Sequence, residues 1–527
     1  MATEVDLLPA DAIIVSSKPE AENLVDEPGS SEVQIHILAE TSTHSTAQTL
    51  RQYFMDGFGD RTCYLELGLC VCSQVTSSFG KHPTGAEVGL PLVHLRARRA
   101  PSVYEAINKV QDRNRDPTQH PFQLEREYKR ALNATKLERV YAKPFLAGLD
   151  GHSDGVHVLC KHPTSLSLLL SGAEDGEMIC WNLAKRAVVK KVLAHDGAVN
   201  GLCIHRTGKH LYSCGFDQTI KKWDISPEGI ISDMPATTLL GKCVYQSIDH
   251  HWFDDTFVTS GQTVDVWVDQ KTEPHRSFAW GVESVHHVKF NPIETYLLGA
   301  AAHDRTIILY DMRGSAPLRK VLLKMRTNTL SWNPMEPMTF TAANEDYNLY
   351  TFDMRKLSMP LNIHMDHVSA VMDVDYAPSG REFVSAGYDK CLRIFQVDKS
   401  RSKEIYHTKR MQRVTCVRWS LDNRYIVSGS DEMNIRLWKA KASEKLGILK
   451  PREKAAMNYA EALKTQFAHL PQIRRISRHR HVPKMVYNAS HQMREMKDKE
   501  KRKEARRKAH SKPGKEPEKK LVAGERE

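Results

Sequence analysis

Nothing in this chain of 527 residues approaches the roughly 18 consecutive apolar residues that a membrane-spanning helix requires. Its first residues are acidic, whereas a secretory leader is basic and then apolar. A soluble protein that is not secreted, with no membrane partner, is expected. Cysteine is present but unpatterned: the ten thiols share no repeated pair spacing, and Cys160, Cys180, Cys203 and Cys214 fall in apolar stretches where a thiol behaves as a small hydrophobe. A reducing compartment follows. The tightest group, Cys63, Cys70 and Cys72, lacks the two spaced pairs of a zinc site, so no metal is expected.

Catalytic signatures are also missing. There is no Gly-rich phosphate loop ahead of a helix, no nucleophile elbow, and no His pair at metal spacing with a carboxylate base. His250-His251 and His286-His287 are adjacent, and consecutive strand residues point to opposite faces. A propeller hydrolase would need polar residues converging on a central channel, which the sequence does not display. No catalytic residue, cofactor or small-molecule substrate is expected.

What is present is an array. An apolar strand ending in an aromatic residue returns seven times, at Trp181, Trp223, Trp267, Tyr310, Phe352, Phe395 and Trp438, at intervals of 42, 44, 43, 42, 43 and 43 residues. That period, with Gly151-His152 or Ala194-His195 upstream and Asn182 or Asp224 after the aromatic, marks propeller blades of four short strands. One blade cannot bury both its faces, so the blades stack and the ring closes. The expected fold is therefore all-β, a seven-bladed WD-repeat β-propeller with a helical basic C-terminal extension and a disordered N-terminus.

Within a blade, a His, a Ser, an Asp and the Trp are expected to form a buried hydrogen-bonded set. His152, Ser171, Asp175 and Trp181 fit this pattern, as do His195, Ser213, Asp217 and Trp223. His367, Ser385 and Asp389 stand with Phe395, which keeps the packing and loses the indole donor. Elsewhere the pattern decays: Asp304 and Asp346 precede Tyr310 and Phe352 by six residues, Glu432 replaces Asp before Trp438, and Gly261 stands before Trp267. These polar residues read as structural, satisfying one another between blades.

The flanks differ in charge. Residues 1–100 carry seven Lys/Arg against thirteen Asp/Glu, whereas residues 441–527 carry 25 against 11. A basic C-terminal arm on a nearly neutral scaffold points to a polyanion, most often nucleic acid. Residues 1–107 read as a disordered N-terminal extension, with local strand or helix conceivable at 34–38 and 64–71. Residues 108–139 read as a lead-in with a helix over 124–136 that packs on the propeller. The propeller spans 140–449, closed by 145–149 beside the Trp438 strand, with 446–449 as the competing strand. A basic helical domain spans 450–512 and a disordered tail 513–527. Pro451 opens and Pro471 closes an amphipathic helix whose face, Ala456, Tyr459, Ala460, Leu463, Phe467 and Leu470, most simply meets the propeller rim. The 494–508 run, nine Lys/Arg against four Asp/Glu, can be helical when bound and frays alone.

Two sets of residues are candidates for binding. Arg474, Arg475, Arg478, His479, Arg480, His481 and Lys484 place five full positive charges and two imidazoles within eleven residues, with no acid among them. Arginine forks suit phosphate and stack on unpaired bases, which points to RNA or ribonucleoprotein. A nuclear-import signal or a solvated surface is the plainer reading, although residues 501–508 already suffice for import. The second set is Tyr310-Asp311-Met312-Arg313 and Phe352-Asp353-Met354-Arg355, the same aromatic-Asp-x-Arg pattern closing two adjacent blades. Each Arg could simply cap its strand, or the two could present paired cationic points to a partner protein.

The lead-in ALNATKLERVYAKPFLAGLDGH, the blade segments NPIETYLLG, RTNTLSWNPME, FTAANEDYNLYTFDMR and MDHVSAVMDVDYAPSG, and the C-terminal VDKSRSKEIYHTKRMQ, GSDEMNIRLWKA and RRISRHRHVPK together resemble the WD-repeat and SOF-domain-containing proteins. The resemblance runs from about residue 113 to about 512. It implies a non-catalytic nucleolar factor that joins pre-rRNA and U3 small nucleolar ribonucleoprotein (snoRNP) proteins in the small-subunit processome, for rRNA processing and 18S rRNA maturation in 40S ribosome biogenesis. Localisation to the nucleus and nucleolus is implied with it. The alternative it implies is a substrate receptor of a cullin-4 RING ubiquitin ligase. In that reading Asp311, Arg313, Asp353 and Arg355 are similar to the Trp-Asp-x-Arg box that binds the ligase adaptor, with Tyr310 and Phe352 where the box has Trp.

Overall fold

A computed structural model describes residues 122–512 and 521–526, apart from 227 and 280–283. The expectations for residues 1–107, including Cys63, Cys70 and Cys72, lie outside the described residues, as does the first part of the lead-in. The described chain forms seven antiparallel sheets, each built on four strands. The second strands are among the most deeply buried: Leu168–Ala173, Leu297–Ala302 and Thr339–Asn344 are buried at all six positions. Such strands read as unbroken apolar or small runs because both their faces meet neighbouring blades. Outer strands such as Ala187–Leu193 are mostly open to solvent. The core is continuous across the seams: Leu170, Met178 and Val192 of the first blade share a cluster with Val199, Leu211 and Trp223 of the second.

The ring closes where 145–149 was expected to act. Phe145–Asp150 pairs antiparallel to Asn434–Lys439, from Phe145 opposite Trp438 to Asp150 opposite Asn434. The competing segment 446–449 forms no strand. Phe145 also packs edge-on against the Trp438 ring, with centroids 5.4 Å apart.

The recurring acid has a more general role than the tetrad. Asp175, Asp217, Asp304, Asp346 and Asp389 each accept a hydrogen bond from the backbone N–H two residues on, at 3.0–3.2 Å. The residue between lies in the left-handed region: Gly176, Gln218, Arg305, Tyr347 and Lys390 have φ of +87°, +60°, +67°, +71° and +62°. This Asx turn holds the bend between second and third strands, so the Asp persists in blades that have lost the His. At Gly176 an added Cβ would sit 2.1 Å from the His195 carbonyl oxygen, which explains glycine there.

The second blade carries a complete tetrad. A carboxylate can only accept, so His195 Nδ1–H donates to Asp217 at 2.9 Å and Nε2 accepts from the Ser213 hydroxyl at 2.7 Å. That hydroxyl accepts from the Trp223 indole at 3.0 Å. In the first blade the set is incomplete. His152 meets Ser171 at 2.5 Å and Trp181 donates to Ser171 at 2.7 Å, but Asp175 makes its turn bond without reaching the imidazole, and His152 Nδ1 has no hydrogen-bond partner. Its nearest anion is Glu177, 3.7 Å away. Trp267 and Trp438 also donate to hydroxyls, those of Thr259 and Ser428, both at 2.9 Å.

The channel-facing strands contradict the expectation of no convergent polar residues. Asp249, Asp373 and Asp375 reach across seams to the backbone N–H groups of Phe290, Val417 and Trp419 at 2.8–2.9 Å. Each also binds a cation, from Lys289 at 2.7 Å, Arg418 at 2.6 Å and Lys161 at 3.1 Å respectively. Every acid is thus consumed in joining blades. The sequence missed them because they sit off the positions that mark the repeat.

Among the described residues four helices flank the ring: α1 (Gln123–Arg139), α2 (Pro451–Gln466), α3 (Pro471–Ser477) and α4 (Lys484–His510). The apolar side of α2 does not meet the propeller rim as expected. Its one buried residue, Leu463, joins Ala131 of α1 and Ile473 of α3, with Tyr128, Leu132 and Phe467 around them. Helices α1, α2 and α3 therefore share a small core that neither end of the chain could form alone. Pro471 opens α3, and residues 494–508 belong to one continuous 27-residue helix.

The tail 513–527, expected to be disordered, needs correction at its end. Gly524–Arg526 adds a fifth strand to the blade headed by Tyr310, pairing with Pro317–Leu322. An outer strand offers unpaired backbone groups, and here the end of the chain takes them up.

Candidate protein and RNA interfaces

The cationic cluster lies on α3 and the connection to α4. Arg474 and Arg475 stand on the exposed side of α3, opposite the buried Ile473. Arg478, His479 and Lys484 are also exposed. Two members make contacts to other parts of the fold instead. Arg480 is half-buried with Nη1 3.9 Å from Asp366, and His481 Nε2 is 3.1 Å from the Val140 carbonyl, to which it donates. Burial is the largest influence on Arg480 and draws its pKa below the ordinary arginine value, with Asp366 opposing. These two residues hold the segment down, and the other five form its open face.

The anchor is built from several elements. Asp366 accepts from Arg401 at 2.6 Å and from Ser402 through both backbone N–H, at 2.8 Å, and hydroxyl, at 2.7 Å. Burial alone would raise the Asp366 pKa, but these donors outweigh it and hold the carboxyl below its usual range. Arg139 at the end of α1 pairs with Glu404 on the outer strand of the blade headed by Phe395 at 2.5 Å. Val486 of α4 and Val482 join Cys391 and Ile405 of that blade. The basic segment is therefore mounted on a rigid sheet.

The aromatic-Asp-x-Arg sets form a second surface. Arg313 makes a forked pair with its own Asp311, at 3.1 and 3.0 Å, and stacks over Tyr296 with its guanidinium carbon 5.0 Å from the ring centre. The hydrogen bonds from Arg313 hold the Asp311 carboxyl below its ordinary value. Arg355 is looser, 3.9 Å from Asp353. Both side chains remain largely exposed, at 67% and 72%. Each turn is braced by an arginine from the preceding blade: Arg276 donates to the Met312 carbonyl at 2.5 Å and Arg319 to the Arg355 carbonyl at 2.9 Å. The sequence does not reveal this bracing, although the 43-residue spacing of Arg276 and Arg319 follows the repeat.

Among the described residues, no three His, Cys, Asp or Glu side chains gather in a metal-holding group. His286 Nε2 donates to the Thr327 carbonyl at 2.5 Å, and His287 is driven far below the ordinary imidazole pKa by burial and then by Lys289. His250 ends the inner strand of the third blade with His251 just beyond it, and His286 and His287 lie on the inner strand of the fourth.

Residues 143–182, 187–224, 358–396 and 402–439 match the WD domain, G-beta repeat, and residues 440–523 match the Sof1-like domain. The unmatched blades are those headed by Trp267, Tyr310 and Phe352, where the marker residues are most altered. The chain is similar to "DDB1- and CUL4-associated factor 13" of Xenopus tropicalis, 57% identical over 406 residues that cover 77% of this chain and 91% of that protein. The human protein of the same name is 59% identical over the same shares. "Protein SOF1" of Saccharomyces cerevisiae is 42% identical over 420 residues, 74% of this chain and 86% of the yeast protein. With likeness of this degree across both propeller and C-terminal helices, the chain belongs to the family of WD-repeat proteins with a Sof1-like domain.

Proposed function

We infer that this protein is a non-catalytic scaffold of the nucleolar small-subunit processome, acting in pre-rRNA processing and 18S rRNA maturation alongside U3 snoRNP proteins. The observation that carries the reading is the open, acid-free cationic face of Arg474, Arg475, Arg478, His479 and Lys484, held on the propeller by Arg480, Asp366 and Val486. Planar guanidinium groups on a fixed platform suit the phosphates and unpaired bases of folded RNA. Kinship with the yeast protein supports the assignment. Crosslinking with sequencing of the attached RNA, on the full chain and on a chain with Arg474, Arg475 and Arg478 changed to Glu, tests it. Specific pre-rRNA sites should be recovered with the first chain and lost with the second.

A second reading, substrate receptor of a cullin-4 RING ligase, is favoured by one feature. Arg313 and Arg355 stand exposed on adjacent blades, in turns braced the same way. The vertebrate relatives carry the association with DDB1 and CUL4 in their name. The two readings use different surfaces, so both roles can reside in one chain.

A further inference from the structure

Among the described residues only one blade has a fifth strand, and the chain's own C-terminus supplies it. The Ala523 N–H donates to the Leu322 carbonyl at 2.8 Å, and Gly524, Glu525 and Arg526 stand opposite Leu322, Val321 and Lys320. Val522 is buried and Leu521 half-buried, both in the cluster of Val321, Leu323, Leu357 and Met354. Glu525 lies 3.6 Å from Arg319. Backbone pairing, an apolar anchor and an ion pair are the three parts of strand-addition peptide recognition.

The segment also touches the partner surface. Arg319 is the residue that braces the Arg355 turn, and Leu357 and Met354 flank Arg355 in sequence. The footprint is small, with three paired residues and two apolar side chains, so it holds mainly because it is tethered. Tethering on a short linker supplies an effective concentration on the order of millimolar.

We propose that the outer edge of this blade is a peptide-binding site whose resident ligand is the chain's own segment 521–526. Once the segment releases, the edge accepts an extended partner peptide of the same chemistry: an apolar pair, small residues, and an acid to meet Arg319. The proposal does not depend on the processome or ligase readings and would stand if either failed.

The test uses a fluorescent peptide of residues 519–527 and two forms of the protein, the full chain and one ending at residue 520. Saturable binding to the shortened chain, with little or none to the full chain, is expected. A peptide carrying Val522→Asp should bind at least about tenfold more weakly, since one buried Val side chain accounts for that ratio. In the full chain Val522→Asp should itself open the site, a check that does not need the truncation. Hydrogen exchange along 320–322 should be slowed in the full chain and fast in both altered forms, and exchange at Ala523 should be fast in the full-length Val522→Asp form. Failure of the peptide to bind either opened form, or equal binding to opened and full chains, would overturn the proposal.

Discussion

The Arg480 guanidinium lies 3.9 Å from the Asp366 carboxylate, and through that pair the basic C-terminal segment is tied to the propeller. Arg401 and Ser402 bind the same carboxylate, so Asp366 is the hub of the anchor. Replacing it with Asn leaves Arg480 half-buried beside a neutral group and should cost about 1–3 kcal/mol. The pH dependence follows from its depressed pKa. Such a carboxyl adds stability above its unfolded value, about 3.9, and loses it as pH falls through the lower folded value. Thermal unfolding between pH 5 and pH 2 should show an acid loss that is shallower in Asp366→Asn.

The imidazole of His152 titrates in a different window. Burial lowers its pKa to about 4, with the Asp175 charge opposing only in part and Lys191 adding to the fall. Between the unfolded value near 6.5 and about 4 the unfolded chain binds a proton that the folded chain refuses. Stability is therefore complete above 6.5 and falls as pH drops through that range, by at most about 3 kcal/mol for this group. His152→Gln should flatten the slope of melting temperature against pH in that window. His195, which donates to Asp217, gives a comparison within the same ring.

Closure by the strand Phe145–Asp150 has a cooperative signature. A chain beginning at residue 151 loses the strand paired with Asn434–Lys439 and exposes the flank of Trp438. Urea unfolding should become broader, with a smaller m-value than a chain beginning at residue 122, because the open ring no longer unfolds as one unit. An unchanged m-value and midpoint would show that the ring closes without it.

How much of this was legible depended on whether a residue's partner lay within its own repeat. The aromatic anchors and the helix near 124–136 are local patterns and could be read directly, whereas the closing strand could be narrowed only to 145–149 or 446–449. The tetrad around His152 fits by spacing, yet Asp175 binds the Glu177 N–H and leaves His152 Nδ1 without a partner, a difference from Asp217 that spacing does not carry. The Ser-to-Trp spacing of ten that is read at Ser171 and Trp181 also marks Ser428 and Trp438, where it was overlooked. Long-range pairings left no periodic trace: Ala131 with Leu463 and Ile473, Arg480 with Asp366, and Val522 against the blade of Tyr310 depend on three-dimensional placement. The seven cationic residues read as one motif, whereas the structure divides them into five that face out and two that hold the segment in place.

Arg313 and Arg355 lie on the surface, so Arg313→Glu together with Arg355→Glu should leave the melting temperature unchanged. Capture of the cullin-4 adaptor should nevertheless fall at least about tenfold, the loss expected when charged contacts are reversed at an interface. Pull-down with purified adaptor, compared with co-sedimentation of the same variant with pre-ribosomal particles, separates the two surfaces. The variant should fail in the first assay and behave normally in the second.

The central claim is that Arg474, Arg475 and Arg478 contact RNA from a platform on the propeller, and gradient sedimentation of the triple Glu variant with pre-ribosomal particles tests it most directly. Arg480 is left in place because it anchors the segment, so fold and mounting are preserved. Release of the variant from the particles, with the salt dependence of its RNA affinity flattened by about 0.7 per lost contact, is the result predicted. Retention on the particles with an unchanged salt slope would contradict the account.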